Sequence, residues 1–236
     1  MLLEWNIYQN INYQKYGNFK DALATKTEIN FYTPEEFKKY IETAKKQALQ
    51  KQLKENNMYE WNFYVFFNIA YYTGLRKGEI HALRWTDINN NYLSVKHSIT
   101  QKLKNKCDVE TPPKNKSSIR TLQIPLPLVK ILKEHKRRQM QLPNFNEDSR
   151  VLGDGKCLRD TTLQQKNILY SKLAGVKIIR IHDFRHSHAS LLANMGINIQ
   201  EVARRLGHTK VEITWNTYSH LYPKEEEKAV AILNAV

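Results

Sequence analysis

Four short segments of this chain carry side chains suited to handling a phosphate. In Thr73-Gly74-Leu75-Arg76-Lys77-Gly78-Glu79-Ile80, Gly74 ends one helix and the next begins at once, so Arg76 stands at a helix junction. Backbone amides point outward there, and a guanidinium can fork onto two oxygens of one phosphate. The same arginine can equally be a surface group that caps a neighbour. His182-Asp183-Phe184-Arg185 puts an imidazole and a guanidinium on one helical face at i, i+3, though eight histidines in a basic chain can produce that pattern by accident. Leu206-Gly207-His208 is followed ten residues on by Tyr218, which taken alone is one of 13 tyrosines. The last segment, Pro113-Lys114-Asn115-Lys116-Ser117-Ser118-Ile119-Arg120, is basic, and a lysine in it is either a solvated charge or a phosphate-steering contact.

These residues need elements to hold them. Thr33-Pro34-Glu35-Glu36 spells a helix start, with a capping box and proline at the first helical position. Phe37, Tyr40, Ile41 and Ala44 follow as one apolar stripe. A strongly apolar helix from about Tyr59 to Tyr72 stops at Gly74, and its Trp61, Phe63, Phe66 and Phe67 read as core rather than as a base-stacking platform. Leu93, Val95, His97 and Ile99 alternate with polar residues as a half-buried strand would, and Ile119–Ile124 reads as another. Lys114 then falls in the turn between these two strands. From Leu128 the pattern is helical almost to the end, broken by Gly153–Gly155, Gly175, Gly196 and Gly207. Pro223 opens a last helix with Glu225, Glu226 and Glu227 in its first turn, where the helix dipole favours anions. Ala229, Ile232, Leu233 and Val236 form its apolar stripe. The expected fold is mainly α with one small antiparallel β-sheet at its edge.

Composition narrows the partners. Lys and Arg total 37 against 23 Asp and Glu, a formal charge of +14 and a pI near 9.6, so a polyanion, and nucleic acid first among them, is the expected ligand. A protein that is simply basic shows the same balance. Cys107 and Cys157 match no metal-site or disulfide spacing, which suits a reducing compartment. No apolar run approaches the ~20 residues of a membrane helix, and the first residues lack a secretory signal's basic and apolar regions. A cytoplasmic protein is expected.

Taken in order, Arg76, a hairpin lysine, His182-x-x-Arg185, Leu206-Gly207-His208 and Tyr218 resemble the tyrosine recombinase (phage integrase) family, including integrases of phages and conjugative transposons. The wording around them agrees: Thr-Gly-Leu-Arg with Glu79, Ser117 and Arg120 near the lysine, and His182-Asp183-Phe184-Arg185-His186-Ser187. The resemblance spans Thr73 to Tyr218. It implies the family's catalytic-core fold and a phosphate-activating set of Arg76, Lys114, His182, Arg185 and His208 around the nucleophile Tyr218. The implied reaction cleaves and rejoins DNA strands through a 3′-phosphotyrosine, with no cofactor or metal. His182 is then the expected base or hydrogen-bond partner of the phenol, and Lys114 the general acid, with Lys116 as the alternative in the same turn. His186 and Ser187 would be structural residues of the helix that presents His182 and Arg185. His182 and His186 could alone suggest a zinc pair, but no His-Glu-x-x-His pattern or third ligand accompanies them. His188 and His220 receive no role.

Residues 1–30 are expected to be an interdomain linker or the remnant of a preceding core-binding domain, and residues 31–236 the catalytic domain. The chain would then be a catalytic fragment or a natural short form. Residues 223–236 form a helix that either packs back on its own domain or docks on a neighbouring protomer of a DNA-bound tetramer. Two rivals share the resemblance: a type IB topoisomerase that relaxes supercoils as a monomer, and a non-catalytic DNA-binding regulator of the same fold.

Overall fold

The structure, a computed structural model, describes residues 30–55, 59–100, 109–111, 118–153, 156–223 and 226–234. Helix α1 (Pro34–Glu55) starts on the expected capping box: Thr33 N donates to Glu36 Oε2 (2.9 Å) and Glu36 N donates to Thr33 Oγ1 (3.2 Å). Helix α2 (Glu60–Thr73) follows, then α3 (Lys77–Ala82) and a 3-10 turn over Trp85–Asp87. Strands β1 (Ile88–Asn89), β2 (Tyr92–Val95), β3 (Ser98–Thr100), β4 (Val109–Thr111) and β5 (Arg120–Gln123) come next. The rest is helical: α4 (Leu126–Gln139), α5 (Asp160–Ala174), α6 (Asp183–Asn194), α7 (Ile199–Leu206), α8 (Val211–Tyr218), a 3-10 turn at Ser219–Leu221, and α9 (Glu226–Leu233).

Helix α2 is buried on nearly every face, as its all-round apolar sequence demands, and α1, α4 and α6 pack against it. Aromatic rings fill the joints. Phe67 of α2 meets Tyr40 of α1 edge-on (5.3 Å, 88°) and Phe184 of α6 (5.1 Å), while Phe37 stacks on Tyr71 at 3.6 Å. Trp61, Phe63, Phe66 and Phe67 are core residues, as expected. Because α2 and α6 share this core, the junction that follows α2 and the start of α6 are held at fixed relative positions.

The β region departs from one expected strand. β1, β2 and β5 form an antiparallel three-stranded sheet, with Leu93 opposite Leu122 and Val95 opposite Arg120, whereas β3 and β4 form a separate antiparallel pair. The chain leaves the first sheet at Lys96 and His97, whose side chains face outward to Asp87 (2.9 Å) and Glu110 (3.4 Å). Alternation alone placed His97 with the buried set. β3 instead turns to pack on α3, where a Cβ on Gly78 would lie 2.5 Å from the Ile99 carbonyl oxygen. The helical pattern after Leu128 is also interrupted for longer than expected, by turns after Gln139 that hold until α5. There Asn146 Oδ1 accepts from Asp148 N (2.9 Å) and Ser149 Oγ from Asn146 N (3.0 Å), local bonds that compete with helix.

Two core histidines make the fold acid-sensitive. Burial drives His135 down to about 4 and His188 to about 3. Both are neutral in the folded chain, while in the unfolded chain each takes a proton near pH 6.5. Their contribution is therefore complete above about pH 6.5 and falls as pH drops, by about 2 kcal/mol each at pH 5. Urea unfolding at pH 7 and pH 5 should show a clearly lower midpoint at pH 5, and His188→Asn should reduce the underlying stability difference by about 2 kcal/mol while leaving the His135 share. Equal midpoints for the unsubstituted chain would overturn the assignment.

Helix α9 exposes Ile232 and Leu233 of its expected apolar stripe. No described helix is long and apolar enough to cross a membrane.

Candidate active site

The Arg76 junction is built by backbone geometry. Gly74 caps α2 at φ 65°, its N–H donating to Ala70 O (3.0 Å), and a Cβ there would lie 2.7 Å from His188 Cδ2. Both the left-handed turn and the close approach of α6 call for glycine. Arg76 becomes the N-cap of α3, with its N–H donating to Glu79 Oε2 (2.9 Å) and its Nη1 to Glu79 Oε1 (3.0 Å). The rest of the guanidinium faces outward, the side chain being 42% exposed.

Arg185 is buried beneath it. Its Nη1 donates to Gly74 O (2.8 Å) and its Nη2 to Leu206 O (2.6 Å), the carbonyls two residues ahead of Arg76 and of His208. One guanidinium thus ties together the loops that carry two other predicted site residues. Burial and then the nearby Arg76 push Arg185 down to about 9, so it keeps its charge at neutral pH. His182 lies exposed at the start of α6, its pKa lowered by partial burial of the ring and then by Arg185.

His208 follows Gly207, the left-handed cap of α7 (φ 65°), with Gly207 N donating to Arg204 O and His208 N to Ala203 O, both 3.0 Å. That pair of bonds is a Schellman ending, and it fixes where the imidazole emerges. His208 Nδ1 meets Thr214 Oγ1 at 2.8 Å, and burial, then Arg185 and Arg76, drive its pKa to about 4. In the tautomer where Thr214 donates to Nδ1, a neutral His208 presents Nε2–H as a donor.

Tyr218 ends α8 with its ring in the core and its hydroxyl 2.6 Å from His186 Nδ1. Here the structure corrects an expectation. His186, not His182, engages the phenol, while His182 packs edge-on to His186 with ring centroids 5.2 Å apart. The two histidines share a face at i, i+4, and α8 reaches that face one turn further along than His182. Ser187 holds its expected structural role: Oγ accepts from Tyr32 N (2.9 Å) and donates to Asp183 O (2.9 Å). Lys114 and the alternative Lys116 lie outside the described residues. Among the described residues no three His, Cys, Asp or Glu side chains are grouped to hold a metal ion.

Comparison with known proteins settles the family. The profile of the phage integrase family matches residues 30–225. This chain belongs to the phage integrase family. It is 34% identical over 221 residues to the ICEBs1 integrase of Bacillus subtilis (strain 168), covering 89% of this chain and 56% of the relative. It is also 34% identical over 231 residues to a tyrosine recombinase XerC-like protein of Caldanaerobacter subterraneus subsp. tengcongensis, covering 88% and 54%. The chain therefore spans about half the length of these curated relatives. Its fold is that of the Tn1549 transposon integrase solved in complex with transposon right end DNA, with a TM-score of 0.70, 19% identity, and 93% of this chain and 70% of that one covered.

Sequence reasoning missed how this phage integrase-family chain braces its cluster. Arg120 of β5 donates from Nη2 to Glu79 Oε2 (2.9 Å), from Nη1 to Glu79 Oε1 (3.2 Å) and Ser118 O (3.0 Å), and from Nε to Arg205 O (2.7 Å). It is buried directly under Gly207, where a Cβ would sit 2.8 Å from Nη1. Burial pushes the Glu79 carboxyl up, but the hydrogen bonds and charge of Arg120, with help from Arg76, hold it below its usual range. One carboxylate so joins the Arg76 turn to the strand after the lysine segment and to the loop before His208. His188, given no role from sequence, accepts from Arg205 Nε at Nε2 (3.2 Å) and bonds Tyr71 O at Nδ1 (2.9 Å). A glutamate three residues after a junction arginine, with an arginine near the lysine, was the available signal. Nothing in the spacing says that they meet.

Proposed function

We propose that this chain is the catalytic part of a site-specific DNA recombinase that cleaves and rejoins strands through a 3′-phosphotyrosine, in integration and excision of a mobile element. The observation that carries this is the Arg185 guanidinium bonded to Gly74 O and Leu206 O, which draws Arg76 and His208 to the face where Tyr218 lies. Charge growing on the non-bridging oxygens of a five-coordinate phosphorus meets donors already fixed in place: the outer nitrogens of Arg76, the Arg185 charge behind it and the Nε2–H of His208. Tyr218 supplies the oxygen that bonds to phosphorus. Lys114 protonates the departing 5′ oxygen. The phosphotyrosine conserves the bond energy, so rejoining needs no ATP.

The wider assignments rest on the same footing. Residues 1–30 act as linker ahead of a catalytic domain at 31–236, and double-stranded DNA is the partner in the cytoplasm. Four copies assemble on it, each docking α9 on a neighbour, a role supported by the exposed Val230, Ile232 and Leu233. The names of the relatives, an ICEBs1 integrase and a transposon integrase, favour a mobile element. Intact Arg76, Arg185, His208 and Tyr218 disfavour a non-catalytic regulator.

A nicked suicide duplex incubated with the protein in EDTA and run on a denaturing gel should yield a covalent adduct that maps to Tyr218. No adduct would leave the regulator reading standing. Strand exchange between two duplexes, in the presence of the remainder of the enzyme, separates recombinase from topoisomerase. In the same assay Lys114→Ala should be slow on ordinary DNA and largely rescued by sulfur at the 5′ bridging position, since a thiolate leaves unprotonated. Arg76→Ala should not be rescued. Rescue of Lys116→Ala instead would move the general acid to Lys116.

A further inference from the structure

The ring of Tyr218 is fixed from one side by apolar packing and from the other by a single polar contact. Ala189 and Ala193 of α6, Val202 and Leu206 of α7, and Leu221 and Tyr222 beyond α8 enclose it. Its hydroxyl emerges from that cluster against His186 Nδ1 at 2.6 Å, the rings tilted by 52° with centroids 5.8 Å apart. The ring of His182 packs edge-on against the His186 ring, with centroids 5.2 Å apart and planes at 83°.

Both partners of this hydrogen bond are uncharged at neutral pH. Burial, then His182, brings His186 to about 4, and burial raises Tyr218 to about 12. At neutral pH the imidazole is uncharged, and in its Nε2–H tautomer Nδ1 accepts from the phenol. Beyond burial, Arg185 on its own helix and Arg180 just before it disfavour a charge on His186, as a proton on His182 would, with Asp183 acting in the opposite sense. His208, on the loop ahead of α8, is within electrostatic reach as well. A phosphodiester bound at Arg76 and Arg185 would neutralise much of this positive field and raise the proton affinity of His186. Proton uptake is then uphill in the free protein and eased once DNA is bound.

Resting on the assignment of Tyr218 as nucleophile, we propose that His186 is the catalytic base that takes the phenolic proton, with His182 as the positioning residue that holds the His186 ring. In the step, the Tyr218 O–H bond breaks and the proton passes to His186 Nδ1. The phenolic oxygen's electron pair forms the O–P bond. The P–O5′ bond breaks with its electron pair on O5′, which is protonated by the lysine general acid. Rejoining runs the same transfers backwards, the 5′ hydroxyl attacking and His186 returning the proton to Tyr218.

The test compares single-turnover cleavage of the nicked suicide duplex by wild type, His186→Asn, His186→Ala and Tyr218→Phe between pH 5.5 and 9. Asn keeps an oxygen near Nδ1 that accepts from the phenol but cannot carry its proton away. Both His186 variants should be slower at pH 7 by about 10²–10⁴-fold, the usual worth of general-base catalysis. The Asn variant should recover as pH rises, where hydroxide takes over, while wild type levels off. Near-wild-type cleavage by His186→Asn with an unchanged pH profile would overturn the proposal, leaving only a structural contact. An adduct persisting in Tyr218→Phe would overturn the nucleophile assignment instead, so the two failures are distinct. A measurement free of variant folding backs this up. In ¹⁵N-histidine spectra of the DNA-free protein, the His186 Nδ1 resonance should shift in Tyr218→Phe more than any other histidine nitrogen, and an unmoved resonance would also overturn the proposal.

Discussion

Tyr218→Phe should eliminate covalent attachment to DNA altogether while leaving DNA affinity within about twofold. The substitution removes one oxygen, no charge and none of the ring that packs against Ala189, Ala193, Val202 and Leu206. The hydrogen bond it deletes, to His186, contributes about 1 kcal/mol net to folding. Removing both the phenolic donor and any demand on it leaves His186 half-buried with access to water, so the fold should survive. In the proposed mechanism Arg76 and Arg185 remain to hold the phosphate, which is why binding should be spared. Band-shift titration gives the affinity, and a denaturing gel of the suicide reaction gives the adduct. An adduct at wild-type level would displace Tyr218 from the mechanism, and a large loss of affinity would mean that the phenol itself contacts DNA.

Arg120→Met should have the next largest effect, and on two properties at once. Removing Arg120 leaves the buried Glu79 carboxylate with only the half-exposed Arg76 as its partner, at a cost of up to about 3–5 kcal/mol. In a chain of this size that lowers the melting temperature by roughly 6–20 °C. Cleavage should fall as well, because Arg120 joins Glu79, Ser118 and Arg205, and through them Arg76, the end of the lysine segment and the His208 loop. The double variant Glu79→Leu with Arg120→Met separates the two effects. Replacing a buried ion pair by apolar side chains often restores stability, so melting should return most of the way. Cleavage should not return, since Arg76 has lost the carboxylate that holds its backbone amide and Nη1. Wild-type cleavage in the double variant would show that Arg76 needs no such brace.

The sequence by itself determined the elements and the inventory of the cluster. The capping box at Thr33, the all-apolar α2, the stops at Gly74 and Gly207 and the arginine, histidine and tyrosine positions are local properties: propensity, periodicity and left-handed turns need no distant partner. The order of Arg76, His182, Arg185, His208 and Tyr218 is likewise written along the chain, and it carried the family resemblance.

Tertiary structure alone decided which of these side chains touch. Periodicity put His97 with Leu93 and Val95, but packing of β3 on α3 at Gly78 moved it outside. His182 and His186 are indistinguishable by helical face, and only the point at which α8 crosses α6 selects His186 for the Tyr218 hydroxyl. Glu79 and Arg120 lie 41 positions apart with nothing in the spacing to pair them, and their burial together depends on where β5 passes beneath Gly207. Contacts of this kind join residues tens of positions apart. Sequence spacing is silent on them because their distances follow from how whole helices and strands pack, not from the backbone geometry of any one segment.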